Sequence, residues 1–394
     1  MLFLLLILFA CRAFTLLTNL VNFSFMRKLF FFLGLAFVHT AAAQDFVLGR
    51  SSDPNVHDPV MARENGKYYI FSTGMGIDVL SSDDMKNWTR EAPVFKFVAK
   101  HEDPPAPGEH RRRDFVMDRE KSTIPQWAID TVKGYRGHTW APDISRHNGL
   151  WHLYYSCSTF GKNRSAIGLA VNKTLDPSSP DFKWEDRGMV IASHQHQDNW
   201  NAIDPNLIMG KKQQPWLVYG SFWDGIQIVR LDKRDFQTPV TAPKTIARRM
   251  GRKLALADID KVENFTVEGG DTIEAGENAV EAPFIIRRGK YYYLFVSFDY
   301  CCRGQNSTYK TVYGRSKKVD GPYYDKEGHP MAKGGGTYLY GPDADNFGIG
   351  HCSAYEFDNQ WYFVSHAYRK DANGGAKLFV KKIKFDKKGW IVRE

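Results

Sequence analysis

Five stretches of this chain repeat one design, a turn followed by an aromatic, β-prone run: GKYYIFST from Gly66, GLWHLYYSCS from Gly149, QPWLVYGSF from Gln214, GKYYYLFVSF from Gly289 and NQWYFVSHAY from Asn359. Their starts lie roughly 65 to 85 residues apart, room for one sheet of four short strands each and too irregular for a solenoid. Alternating apolar residues and turn chemistry predict strands throughout, and no long helical period competes. The expectation is an all-β chain: a five-bladed β-propeller forming a single domain over residues 44–394, since propellers commonly spend this much sequence on one unit.

Ahead of each run stands an ionisable residue: Asp58 in VHDPV, Asp143 in WAPDI, Asp204 in AIDPN, Glu281 in VEAPF and His351 in GIGHCS. In a propeller the first strand of every blade lines the central channel, so equivalent positions form a ring around one axis. A single Asp before Pro reads most simply as a turn opener. Turn chemistry does not require an ionisable side chain at a similar offset from five separate aromatic strands, whereas a shared channel site does.

The start of the chain predicts its compartment. From Met26 the sequence MRKLFFFLGLAFVHTAAAQ has a basic beginning, an apolar stretch and small residues at Ala41 to Ala43. That is the plan of a cleaved signal peptide, with residues 1–43 as leader and Met26 as the expected true start. A secreted, periplasmic or cell-surface protein with no integral membrane domain is expected, since each apolar run is shorter than the roughly 20 residues of a span. The net charge of +9 would suit an acidic partner, but Lys and Arg are scattered without aromatic platforms, so no nucleic-acid partner is expected. Beyond the leader remain Cys157, Cys301, Cys302 and Cys352, with no CxxC pair. Neighbouring Cys301 and Cys302 are either a vicinal disulfide or two free thiols.

The motifs HDP (His57–Pro59), HTWAPDI (His138–Ile144), NAIDPN (Asn201–Asn206), GSFWDGI (Gly220–Ile226), EAPF (Glu281–Phe284), SFDYCCRG (Ser297–Gly304) and GHCS (Gly350–Ser353) together resemble glycoside hydrolase family 43, and within it the endo-1,5-α-L-arabinanases. The resemblance spans about the whole mature chain in the family's order. It implies a five-bladed propeller acting as an inverting glycoside hydrolase on internal α-1,5-L-arabinofuranosidic bonds of arabinan, and a monomer is expected. An exo-acting arabinofuranosidase or β-xylosidase on the same fold, or a carbohydrate-binding propeller without catalysis, are the alternatives.

Inversion needs a carboxylic acid to protonate the leaving oxygen and a carboxylate to activate water from the other side, roughly 6.5 to 9.5 Å apart. By the resemblance, Asp58 is the general base, Glu281 the general acid, and Asp204 the third carboxylate that orients the acid and keeps it protonated. Trp140 is expected as a sugar platform, Phe222 and Trp223 as further stacking contacts, and His57, Asn201 and Ser221 as partners for substrate hydroxyls. Asp143 is expected as a structural or supporting group. His351 resembles the family's axial histidine, which implies one divalent cation, calcium, on the propeller axis and bound mainly through water. The long connection from Lys100 to Tyr135 either walls off one end of the cleft or is a surface excursion.

Overall fold

The computed structural model describes residues 49–100, 116–250 and 278–394, together with the backbone of Phe265–Thr266 and Thr272–Ile273. The expected leader, residues 1–43, lies outside the described residues, as does 101–115 within the long connection. The chain divides into two compact units, Met1–Ser51 and Ser52–Glu394, and the fold that follows is that of the second.

The predicted strands form, and each aromatic run is the second strand of an antiparallel meander. The first meander contains β1 (Val60–Glu64), β2 (Lys67–Ser72), β4 (Asp78–Ser82) and β5 (Trp88–Arg90); short β3 (Gly74–Met75) leaves it to pair with the next sheet. The second is β6 (His138–His147), β7 (Leu150–Ser158), β8 (Ser165–Asn172) and β9 (Glu185–Ser193). The third is β10 (Asn206–Met209), β11 (Pro215–Tyr219), β12 (Ile226–Arg230) and β13 (Lys244–Ala247). A fourth runs through β14 (Val280–Arg288), β15 (Tyr291–Phe298), β16 (Lys310–Ser316) and β17 (Thr337–Tyr340). The fifth is β18 (Asn346–Phe357), β19 (Gln360–Arg369), β20 (Gly375–Phe385) and β21 (Ile391–Arg393). Among the described residues one parallel pair, Lys310 with Ile349, joins the fourth and fifth.

Apolar faces bury against neighbouring sheets. Tyr154, Leu169 and Val171 of the second sheet pack with Leu207, Leu217 and Val229 of the third. Val218 and Ile228 of the third pack with Ile285, Leu294 and Val296 of the fourth. Tyr68, Ile70 and Leu80 of the first share a cluster with Val364 of the fifth. Polar staples follow the same order: Asp143 accepts the Leu207 N–H at 2.7 Å, Asn206 Oδ1 accepts the Ile285 N–H at 2.8 Å, and Ser353 Oγ donates to the Pro59 carbonyl at 3.1 Å. Contacts therefore run from each sheet to the next and from the fifth back to the first.

The long connection after β5 is not a loose excursion where it is described. It carries a short helix, α1 (Gln126–Thr131), and buries Val94, Phe95, Ile124, Ala128, Val132 and Tyr135 in the core. Among the described residues no helix is long and apolar enough to cross a membrane.

Candidate active site

One backbone device recurs at the head of all five sheets. Asp58, Ala141, Asp204, Ala282 and His351 have positive φ of 56°, 37°, 58°, 55° and 49°. Non-glycine residues rarely hold this left-handed conformation, and it persists only where surroundings enforce it. Here the enforcement is a hydrogen bond from each residue's own N–H to the sheet before it. The Ala141 N–H donates to Thr73 Oγ1 at 2.8 Å, Asp204 N–H to Ser156 Oγ at 3.0 Å, His351 N–H to Ser297 Oγ at 2.8 Å, and Asp58 N–H to His366 Nδ1 at 3.1 Å.

Those acceptors occupy one register, two residues beyond the second-strand partner of each first strand (Phe71, Tyr154, Phe295 and Val364). In the third sheet the equivalent position, two beyond Val218, is Gly220, which has no side chain to accept. Its φ is +130°, and an added Cβ would lie 2.7 Å from the Gly225 carbonyl, so no other residue fits. Asp204 fills the gap by accepting the Ala282 N–H on Oδ2 at 3.0 Å. The third carboxylate is thus tied to the peptide immediately following Glu281.

This register corrects the sequence alignment. Asp58, Asp204 and His351 do share the ring position, but Ala141 and Ala282 stand where Asp143 and Glu281 were expected. The irregular step falls at the same place in three first strands, between Trp140 and Asp143, Glu281 and Phe284, and Gly350 and Ser353, and the residue directly after its first member holds the ring position: Ala141, Ala282 and His351. Glu281 therefore precedes the ring position, in the same place as His57 and Trp140. Asp143 lies two residues past it and serves as the staple to the third sheet, accepting from Asn206 Nδ2 and the Leu207 N–H. Burial pushes its carboxyl up to about 6 despite those two donors.

Asp58, Asp204 and Glu281 are brought to one site, each buried (7, 5 and 8% exposed), and each influences the others' charge. Asp58 accepts Thr73 Oγ1–H on Oδ2 at 2.6 Å, has His57 Nδ1 2.9 Å from Oδ2, and has His351 Nδ1 2.9 Å from Oδ1. Burial alone would raise its pKa; His351 and His57 outweigh it, and the carboxyl is held well below the usual range. His366 Nδ1 lies 3.7 Å from Asp58 Oδ1, yet it accepts the Asp58 N–H and burial keeps the ring neutral, so this contact is not an ion pair. Glu281 and Asp204 shift the other way. Burial raises Glu281, against hydrogen bonds donated by Tyr309 O–H at 2.7 Å and Ser221 O–H at 2.8 Å. Burial, with Glu281 and Asp58 adding repulsion against the opposing charge of His351, pushes Asp204 up to about 8. His351 rises to about 9: burial disfavours its charge, but Asp58 and Asp204 more than compensate. The result is one ionised carboxylate beside a pair that retains a proton near neutral pH.

Because strand pairs are antiparallel, the turns that follow the second strands gather at the same end as these first-strand heads. Trp140, half-buried, donates its indole N–H to His138 Nδ1 at 2.8 Å and meets Phe160 edge-on at 6.5 Å. Phe160 is 78% exposed on the turn after β7, which the long connection buttresses through Thr159 Oγ1–H to the Lys133 carbonyl at 2.9 Å. Phe222 is half-buried with its ring 6.0 Å from Tyr300. Trp223 differs from expectation: at 4% exposure it offers no open face, and the next residue, Asp224, is held by an ion pair with Arg248 (2.9 Å). Ser221 and Asn201 are also buried and already engaged, Ser221 with Glu281 and Asn201 Oδ1 with Ser165 Oγ–H at 2.6 Å. Cys301 and Cys302 form a disulfide, whereas Cys157 and Cys352 are free and buried. Cys352, next to His351, is buried in the core.

Sequence reasoning missed Thr73, Tyr309, His366, Tyr368 and Phe160. Thr73 and His366 sit within the quoted aromatic runs in one register with Ser156 and Ser297, which was their only sequence signal.

Residues 110–391 match the model of Glycosyl hydrolases family 43. Over 85% of both sequences the chain is 43% identical to the extracellular exo-α-(1→5)-L-arabinofuranosidase ArbA of Cellvibrio japonicus. It is 37% identical to the extracellular endo-α-(1→5)-L-arabinanase 1 of Bacillus subtilis, over 91% of this chain and 93% of that one. Among solved structures, an exo-1,5-α-L-arabinanase from a bovine ruminal metagenomic library is 56% identical with a TM-score of 0.73, covering 87% of this chain and 98% of that one. The Cellvibrio cellulosa α-L-arabinanase complexed with arabinohexaose matches with a TM-score of 0.73 and 41% identity, over 87% of this chain and 96% of that one. On these matches the chain belongs to glycosyl hydrolase family 43.

Proposed function

We propose that this chain is a secreted five-bladed propeller that hydrolyses α-1,5-L-arabinofuranosidic bonds of arabinan with inversion. The observation that carries the reading is the split ionisation of buried carboxylates at one site, Asp58 held ionised and Glu281 with Asp204 held toward the protonated form. The closed order of five meanders supports the propeller, and the leader-like residues 1–43 together with the extracellular relatives support secretion.

In the proposed reaction Glu281 gives its proton to the glycosidic oxygen as that bond breaks, and Asp58 takes a proton from the water that attacks the anomeric carbon from the other side. Three donors make Asp58 a weak base. That suits an oxocarbenium-like transition state, in which the leaving bond is nearly broken and water needs little activation. Asp204 and Glu281 form a buried pair that retains a proton, because ionising one opposes ionising the other, and the Asp204 bond to the Ala282 N–H fixes the backbone that carries the acid. Trp140, Phe160 and Phe222 line the approach as sugar-stacking surfaces.

His351 spends Nδ1 on Asp58, which leaves Nε2 as its remaining nitrogen. No cluster of three ligating side chains among the described residues includes it, so this donor set fits a cation bound mostly by water. A divalent cation at Nε2 would have to displace the proton that Asp58 and Asp204 otherwise hold on the ring, exchanging the imidazolium's charge for its own near the carboxylates. Isothermal titration of calcium into the apo-enzyme and into His351→Ala checks this: heat in the first and none in the second supports it, and equal heats overturn it.

For the mode of attack we favour release from chain ends, because the long connection buttresses the Phe160 turn at one side of the mouth and the two relatives of 43 and 56% identity carry exo names. The second reading is internal cleavage, favoured by the endo-named Bacillus relative. Product sizes from debranched arabinan separate them, uniform short products against an early ladder. Glu281→Gln tests catalysis itself. Turnover of arabinan is expected to fall by about 10²–10⁴-fold, with much smaller loss on an aryl arabinofuranoside whose leaving group needs no proton. Equal loss on both substrates would remove Glu281 from the role of acid.

A further inference from the structure

The disulfide turn lies against the site at a point no catalytic role has used. The Cys302 N–H donates to the Tyr368 hydroxyl oxygen at 2.8 Å. That hydroxyl is 2.8 Å from His57 Nε2, and His57 Nδ1 is 2.9 Å from Asp58 Oδ2. The order of donors along this chain is constrained. With one lone pair engaged by the peptide N–H, Tyr368 best uses its own proton as donor, and two acceptors are in range. Cys302 Sγ is weak and distant at 3.9 Å; His57 Nε2 is strong and close. An imidazole that accepts at Nε2 carries its hydrogen on Nδ1, which then donates to the carboxylate. The His57 ring is stacked on buried His366 at 4.1 Å, so its plane is held while the hydrogen-bond chain selects the tautomer.

We propose that Tyr368 and the Cys301–Cys302 turn are positioning residues for the reaction, fixing His57 as the Nδ1–H tautomer so that it donates to Asp58 and orients the base. The proposal rests on the reading of Asp58 as the base and adds what aims it. The disulfide enters because it closes the turn that presents the Cys302 N–H, with Cys302 itself at a φ of 64°. Reduction by a dithiol such as dithiothreitol exchanges the protein disulfide for the reagent's cyclic disulfide, and the reagent's two thiol hydrogens end on Cys301 and Cys302. The released turn no longer holds its N–H against Tyr368, and the tautomer preference of His57 is lost.

The test uses the full enzyme labelled with ¹⁵N-histidine, the His57 signals being assigned by their loss in His57→Gln, with kcat and KM measured on linear arabinan. In the wild type the His57 nitrogens should read as the Nδ1–H tautomer. In Tyr368→Phe they should move toward a mixture, with kcat falling about tenfold and KM changing less than about twofold, because a tautomer-fixing group acts on chemistry rather than on uniform binding. Cys301→Ser/Cys302→Ser should change both readouts in the same direction, and adding it to Tyr368→Phe should cost little more, since both act through one path. If the double-serine variant does not fold, the dithiothreitol-treated wild type, checked for fold by circular dichroism, replaces it. A wild-type His57 protonated on Nε2, or Tyr368→Phe with unchanged tautomer and kcat, overturns the proposal. Asp58→Asn separates the underlying reading: if it retains turnover, Asp58 is not the base, whatever the state of His57.

Discussion

Replacing Asp204 with Asn removes a group that must take up a proton when the protein folds. In the unfolded chain an aspartate titrates near about 3.9; in the folded site Asp204 is pushed up to about 8 by burial and by Glu281 and Asp58. Between those values the folded state binds more protons than the unfolded one, so this residue's contribution to stability is greatest at acidic pH and is lost as pH rises. The slope for one proton is about 1.4 kcal/mol per pH unit, which makes the cost between pH 5 and pH 7 about 2.7 kcal/mol. Asparagine keeps an oxygen for the Ala282 N–H and carries no charge. Urea unfolding of wild type and Asp204→Asn at pH 5, 6 and 7 should therefore show the variant gaining on the wild type by up to about 1.4 kcal/mol per unit, while its turnover drops. A stability difference independent of pH, or one that shrinks as pH rises, would refute the assignment of a retained proton to this pair. The retained proton that keeps this pair able to act as an acid is what makes the site costly to hold at neutral pH, the usual conflict between stability and activity.

Ser221→Ala removes a donor that favours ionised Glu281, so the alkaline limb of the kcat/KM profile should move upward; a downward move would contradict the contact. Asp143→Asn should lower unfolding free energy by about 1–3 kcal/mol, because the amide cannot satisfy both the Leu207 N–H and Asn206 as the carboxylate does, with kcat per folded molecule unchanged. A fall in kcat without loss of stability would return Asp143 to the chemistry. Phe160→Ala, at a position 78% exposed, should leave the melting temperature in place and raise KM for long arabinan by roughly three- to tenfold, as expected for about 1 kcal/mol of stacking.

The five meanders were legible because aromatic strands flanked by turns leave a period that survives divergence in every other respect. The carboxylates were legible because proline follows Asp58 and Asp204, and nearly follows Glu281, at the head of those strands. Their common register was misjudged. The ring position is marked by a left-handed backbone and an irregular step, at Ala141 and Ala282 as at His351, and neither has a signature in residue identity, so the nearest ionisable side chain was taken in its place. Trp223 was read as a sugar contact because furanose faces stack on aromatics; burial to 4% exposure is a property of the packed fold that residue type does not reveal. Tyr309 and Tyr368 were not found because each reaches the site from a different sheet than its hydrogen-bond partner or from across a turn. The need for Gly220 was hidden for a related reason. Its role is the missing acceptor that obliges Asp204 to hold the Ala282 N–H, and such a role is visible only once all five heads are superposed.

The central claim is that Asp58 and Glu281 act on opposite sides of the glycosidic bond. Proton NMR of the first sugar released from an α-linked arabinofuranosyl substrate, recorded before mutarotation, tests it most directly. Inversion predicts that the β-anomer appears first and decays toward equilibrium; an initial α-anomer would mean retention through a covalent intermediate, and the roles assigned to these two carboxylates would be wrong.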